Sequence, residues 1–214
     1  MRPRPVEQRP IGERRREILA AAAGLFAERG YRGVSIDDIG RAIGTTGPAL
    51  YRHFPGKRAL LGEVLLDISR RLSRRGSVLL ARSTEPRDAL DLLLRGHISF
   101  ALDEPSLIVV HDRELHHLTD EDNRRVRRIQ RRYVEEWVTV LAELRPDEPH
   151  EVLLASTQAA FGLLNSTPHS HVLPRGEMAA LLLRMGTAAL LPDRPVEVSA
   201  HNEAHPERAV VPSE

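Results

Sequence analysis

Tyr51, Arg52 and His53 stand in succession between the apolar Leu50 and Phe54, and Lys57 follows close behind. In a helix, Leu50 and Phe54 face one way and the three polar side chains are left outside. The stretch before them, from Val34, reads as a first short helix and a Gly/Thr turn, so the exposed row lies on the second helix of a helix-turn-helix. That second helix is the one that enters a DNA major groove. A different chemistry is suggested by His111, His116 and His117, with Asp112, Glu114 and Asp120 nearby. Such a set could hold zinc or nickel and make a metal-responsive regulator. Residues 111 and 117 fall far apart around a helix, however, and 116 and 117 diverge by about 100°. There is no cysteine and no second ligand pair at the spacing of a structural site. A hydrolase using one of these histidines with Ser106 or Asp112 lacks a nucleophile elbow, a phosphate loop or a metal-protease motif. No catalytic residue, metal ligand or cofactor site is assigned.

The elements that must carry the exposed row are well punctuated. Ser35 can cap a helix on which Ile36, Ile39 and Ile43 repeat at helical spacing. Gly44 gives the backbone freedom the turn requires. Thr45 or Thr46 can cap the next helix, and Pro48 falls in its first turn, where a missing N–H costs nothing. Ahead of these, Ile18, Ala22, Leu25 and Phe26 mark the buried stripe of a helix opened by Arg14, Arg15 and Arg16 and ended by Gly30. Further helices are expected over residues 57–76, 87–103, 106–117, 119–145, 148–165 and 175–191. The longest begins with a capping box of Thr119 and Asp122.

Composition supports an ordinary globular chain. Of 214 residues, 41% are apolar and 29% charged, enough to bury a proper core. No apolar run spans a membrane, and the basic N-terminus lacks the core of a signal peptide, so a cytoplasmic protein is expected. The net charge of +1 hides a gradient. Residues 1–75 carry 16 Arg or Lys against 8 Asp or Glu, and the remainder carries 15 against 22. A basic end joined to an acidic body is the footprint of polyanion binding.

The segment from Ile18 to Leu61, ILAAAAGLFAERGYRGVSIDDIGRAIGTTGPALYRHFPGKRALL, resembles the TetR family of bacterial transcriptional regulators. The shared features are the small-residue first helix ending in LFAERGY, the Val-Ser-Ile entry, the Ile-Gly pair after two aspartates, and Leu-Tyr-x-His-Phe followed by Lys. The resemblance implies an all-α chain with a three-helix DNA-binding domain and a larger helical domain for ligand binding and dimerisation. Its expected organisation is a disordered basic arm over 1–12, the helix-turn-helix domain over 13–60, the larger domain over 61–191 and a disordered tail over 192–214. Thr46, Gly47, Pro48, Tyr51, Arg52, His53 and Lys57 occupy the positions that face operator DNA in the family. The Thr46 hydroxyl and the Gly47 N–H suit phosphates, Tyr51 and His53 suit the backbone, and Arg52 suits a guanine edge. Lys57 would sit against a phosphate. Two residues depart from the family pattern: Gly56 stands where many members have Ser, and Pro48 where a small or basic residue is commoner.

The resemblance further implies an inducer cavity among the middle helices, with Phe100, Ile108, His111, Trp137, Phe161 and Asn165 as expected lining. It implies pairing of the last two helices with those of a second subunit. Val152, Ser156, Ala159 and Leu163 on one helix and Met178, Leu181 and Met185 on the other are the expected dimerisation stripe. REL at 113–115 and RRIQRRYVEEW at 127–137 are similar to the actinobacterial subgroup that senses acyl-CoA or other lipid-derived thioesters.

Overall fold

The computed structural model describes residues 11–169 and 172–191. The expected arm, apart from its last two residues, and the expected 192–214 tail lie outside the described residues. Among the described residues the chain forms nine α-helices, two short 3-10 turns and no strand. They are α1 (Ile11–Arg29), α2 (Ile36–Ala42), α3 (Gly47–Tyr51), α4 (Lys57–Leu80), α5 (Pro86–Asp103), α6 (Pro105–Glu114), α7 (Asp120–Leu144), α8 (His150–Leu164) and α9 (Arg175–Leu190).

The helix-turn-helix is assembled by local chemistry. Ser35 caps α2: its Oγ accepts from the Asp38 N–H at 3.1 Å, while the Asp38 carboxylate accepts from the Ser35 N–H at 2.8 Å. This reciprocal box satisfies two otherwise orphaned donors, and its hydrogen bonds from Ser35 pull the Asp38 carboxyl down to about 2. Ser35→Ala should therefore cost about 1 kcal/mol, read as a lower denaturation midpoint at unchanged slope. Gly44, at φ 64°, turns the chain out of α2 in the left-handed region that glycine enters freely. Gly40 lets the turn lie flat on α2, since a Cβ there would stand 3.0 Å from the Thr45 carbonyl oxygen.

One apolar core runs from this domain into the body. Ile18, Ala22 and Phe26 of α1, Ile39 of α2, Leu50 of α3 and Phe54 pack on the first half of α4, and Phe100, Leu107, Ile108 and Val110 join the same cluster. The expected boundary after residue 60 thus falls within the first turn of α4, a single helix whose N-terminal half belongs to the DNA-binding core. The second core is built by α5, α7, α8 and α9 around the fully buried Trp137. Burying side chains of this size contributes roughly 1.5–3 kcal/mol each. Both Pro86 and Pro105 occupy the first helical position, where they fix φ without losing a hydrogen bond, so α5 and α6 each begin one residue earlier than expected.

Candidate nucleic-acid interface and effector cavity

α3 ends at Tyr51, so Arg52, His53 and Phe54, expected on the same helix, lie in the turn that follows it, and across helix and turn the side chains divide cleanly. Leu50 and Phe54 are 1% and 2% exposed, whereas Tyr51 is 56% exposed and Arg52 and His53 stand beside it in the open. Thr46 and Pro48 are exposed at the start of the helix. Thr46 is the N-cap, but its hydroxyl makes no capping hydrogen bond, which leaves it free for an external acceptor. Gly47, expected to offer an exposed N–H, is instead buried; a Cβ there would collide with the Asp37 carboxylate at 2.0 Å.

Lys57 has a different occupation from the expected phosphate contact. Its Nζ donates to the carbonyls of Tyr31 at 2.8 Å and Val34 at 2.7 Å, and lies 4.3 Å above the Tyr31 ring. The ammonium thus ties the start of α4 to the segment between α1 and α2. These partners lie 26 and 23 residues back in the chain, beyond any local pattern.

A cavity of about 370 Å³ lies among α4, α5, α6, α7 and α8. Phe100, Ile108, His111, Phe161 and Asn165 line it as expected, but Trp137 does not. The indole is fully buried behind the wall, edge-on to Phe161 at 5.0 Å and to Tyr133 at 6.1 Å. Sequence reasoning missed the lining from α4 and α7 (among it Ile68, Leu72, Gln130 and Tyr133) and, most consequentially, His97 on α5. Its Nδ1 lies 3.2 Å from the Tyr133 hydroxyl and its Nε2 3.0 Å from Asn165 Oδ1, while its ring stacks on Phe161 at 4.8 Å. Burial pushes its pKa down to about 4, against a weaker opposing hydrogen bond from Asn165, so the ring is neutral at pH 7. With Tyr133 donating to Nδ1, His97 donates Nε2–H to Asn165. The available signal was its position: Leu90, Leu93, Leu94, His97, Ile98 and Ala101 share one helical face.

The three histidines near the end of α6 do not act together. His111 faces the cavity, with Nε2 against the Gln130 amide and Nδ1 3.2 Å from Asp112. His116 and His117 lie against each other with ring centroids 4.0 Å apart and planes tilted, and His117 lies 4.7 Å from the Tyr31 ring. Among the described residues, no three histidines or carboxylates are grouped to hold a metal ion. Glu114, one turn past His111 on α6, is buried and accepts from the Tyr31 N–H at 3.1 Å. The helix that lines the cavity therefore ends on the same residue that Lys57 holds.

The expected dimerisation stripe is only partly on the surface. Ala159 is exposed, Val152, Ser156, Leu163 and Leu181 are half-buried, and Met185 is 45% exposed. Met178 points the other way: at 7% exposure it belongs to the protomer's second core. Periodicity placed it on the stripe, but the packing of α9 on the second core decides its direction.

An all-α chain with an exposed row at a short second helix, packed on a larger helical body, is the architecture of a helix-turn-helix regulator. Residues 18–64 match the sequence model for bacterial regulatory proteins of the tetR family, and residues 83–169 match the tetracyclin repressor-like C-terminal domain. The chain belongs to the TetR family of transcriptional regulators, which are not enzymes.

Its relatives include the transcriptional repressor KstR2 of Rhodococcus jostii, 31% identical over 105 residues that make up 49% of this chain and 52% of that protein. The transcriptional activator FasR of Mycolicibacterium smegmatis is 41% identical over 56 residues, 26% of each chain. The matched region spans about half the length of the curated KstR2 relatives at the head of this group. Among solved structures, a TetR-family regulator from Bordetella parapertussis superposes with TM-score 0.73 at 26% identity, over 82% of this chain and 93% of that one. AibR, solved in complex with isovaleryl coenzyme A and operator DNA, gives TM-score 0.69 at 20% identity, over 80% and 97%. No helix among the described residues is long and apolar enough to cross a membrane.

Proposed function

We propose that this chain is a cytoplasmic, homodimeric repressor that binds operator DNA through α3 and is released by a small molecule such as an acyl-CoA or another lipophilic ligand. The observation that carries this reading is the division of side chains along α3 and the turn that follows it. Leu50 and Phe54 anchor it in the core, while Thr46, Pro48, Tyr51, Arg52 and His53 are presented together on a basic end of the chain. The proposed division of labour is a DNA-binding unit of α1–α3 with the start of α4, and a ligand-binding and dimerising body beyond it.

Within this reading, Tyr51, His53 and Thr46 hold phosphates, Arg52 reads a base edge and Pro48 offers an apolar contact. Lys57 positions the unit from inside. Coupling runs through α6: a ligand that presses on Ile108 and His111 moves Glu114, which holds the Tyr31 backbone and with it the start of α4. Ligand and DNA then favour different arrangements, so each weakens the other's binding by the same factor.

Affinity for duplex DNA should fall steeply with salt, as bound counterions are released. Tyr51→Ala should weaken binding to all sequences, and Arg52→Ala should relax preference at one base position by about 1–3 kcal/mol. Lys57→Ala should lower affinity while leaving the salt slope unchanged, because its charge is already satisfied within the protein. A flat salt response, or an unchanged base preference after Arg52→Ala in a binding-site selection, would count against the interface.

A further inference from the structure

The cavity lining contains no aspartate, glutamate, lysine or arginine. Of its two histidines, His97 is neutral at pH 7, and His111 engages the protein through both ring nitrogens. His97 accepts at Nδ1 from the Tyr133 hydroxyl and donates from Nε2 to Asn165, and His111 accepts at Nε2 from the Gln130 amide while Nδ1–H donates to Asp112. A carboxylate or phosphate placed inside would lose its hydration with no cation to replace it, at a cost far above that of an uncharged group. Part of the wall is aromatic: the rings of His97, Phe161 and Tyr133 stack on one another, within 4–15° of parallel.

Polar recognition is concentrated in amides. The Asn165 Oδ1 is taken by His97, and its NH₂ group makes no hydrogen bond to any described residue, so it offers donors to whatever fills the cavity. Gln130 retains a free amide oxygen and Gln158 is unpaired among the described residues.

From this lining we infer that the effector is an uncharged, compact apolar molecule carrying a hydrogen-bond acceptor such as a carbonyl, received by Asn165, and that no anionic group enters the cavity. The inference rests on the cavity being the effector site, and of the lipophilic ligands proposed for that site it keeps the uncharged ones and sets the acyl-CoA aside. The ring wall and aliphatic side chains take the apolar body. Asn165, itself fixed by His97, sets which end goes in first.

The chain's only tryptophan is Trp137, seated against Phe161 behind the cavity wall, so its emission reports occupancy through that ring. Full-length protein at pH 7 is titrated with cyclododecanone, cyclododecane, cyclododecanecarboxylate and decanoyl-CoA. The ketone should bind about tenfold tighter than the hydrocarbon, as one hydrogen bond allows, and about a hundredfold tighter than the carboxylate. Asn165→Leu should erase the ketone's advantage while preserving hydrocarbon binding. Tightest binding by the carboxylate or by decanoyl-CoA overturns the inference and leaves the cavity as the effector site. No change in Trp137 emission with any of the four overturns the effector site and the inference together.

Discussion

Ala159→Glu should leave the protomer folded, divide the proposed dimer, and reduce operator affinity by about 10²- to 10⁴-fold. The expected size follows from two facts about the last two helices. Their inward faces are fully used: Leu153, Thr157, Ala160 and Leu164 of α8, and Met178, Leu182, Gly186 and Leu190 of α9, are all buried in the protomer. Small and apolar residues also lie on their exposed sides, Ala155, Ala159 and Gly162 on α8 and Ala180, Met185 and Ala188 on α9, interspersed with Glu151, Gln158, Glu177 and Arg184. Small side chains let helix backbones approach closely, and a second copy of the same pair is a self-complementary cover. Across a two-fold axis one substitution introduces two carboxylates, each deprived of water and near its twin. Because position 159 is open in the protomer, the denaturation midpoint of the isolated subunit should hardly move. Light scattering should then give the mass of one chain, and the salt slope of DNA binding should halve as one of two heads disengages. A variant that remains dimeric would place the interface elsewhere.

Much of the fold was legible because its signals are local. The Ser35–Asp38 box, the glycine at 44 and the apolar repeats of α1 and α2 each act within a turn or two of the chain. The start of α7 was read less completely. The Thr119 hydroxyl accepts from the Asp122 N–H as expected, but the Asp122 carboxylate accepts from that same hydroxyl, so the reciprocal bond of a full box is not made. The misplaced residues share a physical cause, since their positions are decided by partners distant in sequence. His97 takes its hydrogen bonds from residues 36 and 68 positions away, and nothing in LLLRGHISFAL announces them. Trp137 and Phe161 are both aromatic residues on amphipathic helices, and only their mutual packing determines which of the two meets the cavity. Met178 and Met185 show the same limit on a single helix, one facing the second core and the other facing solvent.

Acid should expose His97 as a stability switch of the body. In the folded chain its pKa is near 4, whereas an unfolded histidine titrates near 6.5. Between those values the unfolded chain takes up a proton that the folded chain refuses, so stability falls as the pH drops through this window and the loss is complete below it. The gap corresponds to about 3 kcal/mol, a substantial part of a typical domain's stability. His97→Gln removes the titration while keeping an amide able to bond Tyr133 and Asn165. It should cost some stability at pH 7, where the ring's stack on Phe161 is lost. From pH 7 to pH 4, however, the variant should lose about 3 kcal/mol less than the native sequence in urea denaturation. Because every other titrating group is common to both proteins, the difference isolates this ring. Parallel curves for the two proteins would show that His97 gains its proton as easily folded as unfolded, and the sealed, uncharged end of the cavity would then have to be abandoned.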